Sequence, residues 1–140
     1  MAAVPSYTRF VISAVASIAT ANTNRDGTGT LGTVYTALAH VAGQGSGARI
    51  DSITVKATGT TTAGVIRIYV DDGTARLVRE ILVSAITPSA TVKSWEIPTS
   101  EGADANGILQ LGILLKPGDI LKASTHNAET FIVRAQGGEF

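Results

Sequence analysis

Hydrophobic residues recur at every second position along this chain, in short runs separated by turn-forming residues. Phe10, Ile12, Ala14, Ala16 and Ile18 alternate with Val11, Ser13, Val15 and Ser17. A period of two, rich in β-branched residues, predicts a strand over 10–18. The rival is a helix with Val11, Val15 and Ile18 on one face. The same reading predicts strands over 33–38, 49–58, 65–70, 75–84, 93–97, 108–115, 120–125 and 130–135. In 49–58 the apolar register shifts from Ile50 to Ile53 and Val55, so a bulge is expected near Asp51 and Ser52. In 65–70, Ile66, Ile68 and Val70 face one way, and Arg67 and Tyr69 the other. Asp71-Asp72-Gly73 closes a tight hairpin, because Gly supplies the positive φ such a turn needs. Pro98 stops the 93–97 strand, since it has no N–H to give a ladder. Lys116-Pro117-Gly118-Asp119 has the Pro and Gly placement of a type II turn, and 120–125 is expected to pair with 130–135 across 126–129. The segment 22–32, with three Gly in its second half, reads as a loop that does not pack. No segment has the length and period of a helix. The expected fold is therefore all-β: a jelly-roll-like antiparallel β-sandwich of eight or nine strands over residues 10–140, preceded by an N-terminal arm over 1–9.

Composition narrows the function classes. A chain of 140 residues is one domain by length and can bury a sizeable core. Eleven basic residues balance eleven acidic ones. A nucleic-acid binder needs a basic patch to displace counterions, and an anionic membrane attracts basic surfaces, so neither partner is expected. The absence of Cys removes disulfides and thiolate metal sites. Only 16% of residues are charged and the net charge is zero, a combination that favours association. The longest apolar stretch, 10–21, is too short and too interrupted to span a bilayer. It imitates a secretory signal, with Arg9 as the charged flank and Ala19-Thr20-Ala21 as a cleavage site, but Ser13 and Ser17 break the apolar run.

Candidate chemistry is sparse. Asp71, Asp72 and Asp119 are the residues a calcium site would draw on, yet their spacing is not that of an EF-hand loop. The two histidines, His40 and His126, lack a nucleophile elbow, and Ser46 sits in a Gly-rich turn. Glu96, Glu101 and Asp104 are candidates for a glycosidase carboxylate pair. Trp95 alternates with Ile97 and is expected in the core. The Gly27–Gly32 run lacks the strand-to-helix context of a phosphate loop. The expectation is no catalytic residue, no cofactor and no metal.

The small, neutral, Cys-free, Thr/Ala/Gly-rich β pattern, with L-K-P-G-D-I-L-K-A-S over 115–124 leading into the last strand, resembles the jelly-roll decoration (cement) proteins of tailed-bacteriophage capsids. That resemblance implies a virion structural protein on the capsid exterior, made in the host cytoplasm. It would form a homotrimer and bind the major capsid protein. In the arm, Tyr7, Arg9 and Phe10 are the candidate partner-binding residues, because aromatic and arginine side chains concentrate interface energy. The rivals are a carbohydrate- or receptor-binding fibre module, with a sugar over Trp95 or Tyr69, and a tail or baseplate component.

Overall fold

The computed structural model describes residues 10–39 and 47–140, and within them the alternation seen in the sequence becomes eight strands in two sheets. The strands are β1 (Phe10–Ile18), β2 (Gly32–Thr36), β3 (Ala48–Ala57), β4 (Gly64–Asp71), β5 (Ala75–Val83), β6 (Leu109–Leu115), β7 (Ile120–Thr125) and β8 (Phe131–Glu139). One sheet has the order β1-β8-β3-β6 and the other β2-β7-β4-β5. Every pairing between these strands is antiparallel. The pairs β4/β5, β3/β6, β2/β7 and β1/β8 nest one outside another, as in a long hairpin folded over on itself. Added to β3/β8 and β4/β7, this gives the jelly roll.

The two inner faces form one core. Ile12, Ile18, Ile50, Ile53, Val55, Leu109, Val133 and Ala135 come from the first sheet, and Ile66, Ile68, Ile81, Val83, Leu121 and Ala123 from the second. Trp95 is buried beside Phe131, edge to face, with ring centroids 5.7 Å apart. The sheets are also tied by a polar bond. Tyr35 Oη on β2 donates to Glu139 Oε1 on β8 at 2.5 Å, and the Leu38 N–H donates to the same oxygen.

Local expectations meet the structure as follows. The register of β3 shifts between Ile50 and Ser52, as the apolar pattern requires. The turn after β6 has Gly118 at φ +87°, with the Asp119 N–H donating to the Lys116 carbonyl. The rival helix over 10–18 is absent: that segment is β1. Two expectations are corrected. The segment 93–97 is extended, but it makes only the bridge Lys56↔Glu96 and is not a ladder strand; Trp95 and Ile97 anchor it instead. β7 and β8 do not pair with each other. β7 lies between β2 and β4, and β8 between β1 and β3. A hairpin turn at 126–129 is thus replaced by a crossing from one sheet to the other. The Arg67/Tyr69 face of β4, opposite the core, is buried as well.

Truncating Trp95 to Ala removes the largest fully buried side chain, and should cost about 3–5 kcal/mol in urea denaturation. Val15→Ser, on the outer face, should stay within about 0.5 kcal/mol of the parent.

Candidate functional site

β1 and β6 form the two edges of the first sheet, and neither carries a charge or a Pro. Sheet edges are ordinarily blunted with charge, Pro or bulges, because their unpaired backbone groups invite another strand. β5, an edge of the second sheet, follows that rule with Arg76, Arg79 and Glu80. On the outer face of the first sheet, register aligns side chains in rows. Val11, Gly138, Arg49 and Leu114 form one row; Ser13, Gln136, Ser52 and Gln110 the next; then Val15, Arg134 and Thr54; then Ser17, Ile132 and Lys56. Val11 is 83% exposed, Val15 62% and Leu114 69%. The alternation of β1 placed Val11 and Val15 on this outward face correctly. Phe10 is half-exposed at the start of the same strand. Tyr7 and Arg9 lie outside the described residues, as do His40 and Ser46.

The carboxylates picked out in the sequence are engaged locally. Asp71 accepts from Lys122 Nζ at 2.7 Å and from the Gly73 N–H. Asp72 pairs with Arg76 at 2.9 Å. Asp119 accepts from the Lys116 N–H across its own turn. No group of three His, Asp or Glu that could hold a metal ion occurs among the described residues. Glu96 and Asp104 do meet, in an open groove of about 290 Å³ that Lys93, Ile86, Pro98 and Gly107 also line. Asp104 Oδ1 is spent on the N–H groups of Asn106 and Ile108, and Glu96 lies 3.7 Å from Lys56 Nζ. Glu101 is not in this groove. It opens a different contact, accepting from the Leu82 N–H. Trp95 and Tyr69 are both buried, so neither offers a face on which a sugar would stack.

Sequence reasoning missed the polar cluster over the second sheet. Arg67 points outward from β4 yet is 0% exposed, because the segment 22–31 folds back across it. Arg67 Nη1 donates to the Asn22 carbonyl at 3.0 Å, and Nη2 lies 3.3 Å from His126 Nδ1, which accepts. Its Nε is 3.4 Å from Glu80 Oε2, which also takes a 2.9 Å bond from Arg25 Nε. Tyr69 Oη donates to the Asn24 carbonyl, and the Asn22 amide donates to the carbonyls of Thr28 and Thr30. The glycines once read as evidence against packing are needed for it. A Cβ on Gly27 would sit 2.2 Å from the Ala75 carbonyl oxygen, and one on Gly29 would press on the Asn22 amide. His126 is thus part of a structural cluster, and the lone signal for it in the sequence is an Arg at a position flanked by buried strand residues.

The Arg25 hydrogen bond, with the Arg25 and Arg67 charges beside it, holds the Glu80 carboxyl below the usual glutamate range. A depressed native value means that this contribution is complete above the unfolded-state range and is lost as pH falls through the native value. The thermal midpoint should therefore drop between about pH 5 and about pH 3, and Arg25→Gln should flatten that drop. Compared with protein-family models, curated proteins and solved structures, the chain finds no match.

Proposed function

We propose that this chain is a virion structural protein: a jelly-roll decoration protein that binds the outside of a tailed-phage head and stabilises contacts between major capsid proteins. The observation that carries the reading is the first sheet. It has two uncharged edge strands and an outer face with Val11, Val15 and Leu114 exposed. Exposed apolar positions on uncharged edges suit a module whose work is to be packed against. A neutral chain with few charges suits a crowded, repeating assembly. A homotrimer extends the same logic, since a closed ring covers each edge with a neighbour's surface. Tyr7, Arg9 and Phe10, at and just before the start of β1, are adjacent in sequence to this edge and are proposed to contribute to docking. Burial of Trp95 and Tyr69 weakens the competing sugar-binding reading.

Particles from cells producing the protein, labelled with antibody and viewed by electron microscopy, should carry it on the head exterior. Label confined to tails, fibres or particle-free material would reject the reading. Light scattering on the purified protein should give three times the chain mass. Deleting residues 2–8 should leave folding intact and weaken saturation of undecorated heads; unchanged affinity would remove the arm from the docking surface.

A further inference from the structure

The outer face of the first sheet is cationic within a chain of zero net charge. Its rows present Arg49, Lys56 and Arg134, and no carboxylate occupies a position in those rows. Arg49 is offset by Asp51 in the bulge, at 2.6 Å, and Lys56 by Glu96. Arg134 stands apart. Its Nη2 donates to Ser13 Oγ at 3.2 Å, and among the described residues it makes no ion pair. It sits near the middle of the sheet, between Val15 on one side and Thr54 on the other.

Arg134 also borders a depression of about 120 Å³ lined by Ser52, Thr54, Ile108 and Gln136. Ser52 is only 7% exposed, and it lines the depression opposite Gln136. The β3 bulge supplies the geometry: the register shift between Ile50 and Ser52 turns Ser52 to the outer face opposite Gln136. Hydroxyl and amide donors thus converge beside an uncompensated guanidinium, with Ile108 as an apolar wall.

We propose that this depression is a receptor for a carboxylate side chain, Asp or Glu, presented by a partner protein on an apolar surface. Arg134 grips the carboxylate with two N–H groups, the pairing its planar fork favours. Ser52 and Gln136 donate to the remaining lone pairs. Val11 and Val15, outward on the neighbouring edge strand, pack against the apolar surround and keep water off the pair, the arrangement that makes a charged contact count at an interface. The occupant follows from charge complementarity: Arg49 and Lys56 have carboxylates of their own, and the guanidinium left over, Arg134, selects one more. The pairing chemistry is independent of which assembly the partner belongs to.

The test is an amide- and guanidinium-resolved NMR titration of the intact protein. The probe is glutamate blocked as its N-acetyl methylamide, with the blocked glutamine analogue as the uncharged control. Saturable shifts are expected at Arg134 Nε–H, Ser13, Ser52 and Gln136, with none from the glutamine analogue. Arg134→Gln, a change at an exposed position that should leave the rest of the spectrum intact, should weaken the response by at least about tenfold. Ser52→Ala should weaken it less. Equal shifts from both probes, no shift at these residues, or an unchanged response in Arg134→Gln would each overturn the proposal. So would inorganic phosphate binding the same residues more tightly than the carboxylate, which would make the depression a general anion site.

Discussion

A buried guanidinium on the outside of the sandwich organises much of this molecule. Arg67 cannot shed its charge, and an arginine taken from water must find partners or cost several kcal/mol. The segment 22–31 supplies them, and so it is held on the second sheet rather than left as a free loop. Glu80 on β5 and His126 beyond β7 add their contacts, so one strand and two connecting segments converge on one side chain. Burial on both faces turns β4 into an interior strand, with Ile66 and Ile68 on the core side and Arg67 and Tyr69 beneath the loop.

The two sheets consequently have opposite characters. The second has its outer face partly roofed by its own chain, and its β5 edge is charged. The first has an open outer face, uncharged edges and exposed valines on β1. A protein that covers one sheet with its own loop and leaves the other bare has divided its surface into a side committed to stability and a side available to others. The Tyr35–Glu139 bond joins the two sides across the sandwich.

Local pattern carried the fold a long way. Alternation located all eight strands, the Ile50-to-Ile53 shift marked the bulge, and Pro117-Gly118 fixed the turn, because each of these is written within a few residues. What alternation does not carry is partnership. The stretches 120–125 and 130–135 look like a hairpin in sequence, and only the pairing of β7 with β4 and of β8 with β3 separates them into different sheets. Trp95 and Ile97 gave 93–97 the look of a strand, although its anchoring comes from side chains and not from a ladder. The outward valines were legible because they alternate with core residues. The Arg67 cluster was not, since its partners are backbone carbonyls of a Gly-rich segment whose packing no side-chain pattern announces. The Ser52 depression was hidden likewise: it exists only where the bulge sets β3 against Gln136.

The nesting of the strand pairs also imposes an order on assembly. The β4–β5 hairpin joins neighbours in sequence, whereas each pair outside it must close a longer loop before its contacts form, and that entropy slows non-local pairing. The pairing of β1 with β8 closes the longest loop of all, since Phe10 and Glu139 lie at opposite ends of the described chain. The rows that hold Val11, Val15 and Arg134 are thus complete only where β1 and β8 are paired. A chain still being synthesised, or one caught part-folded, lacks that finished face.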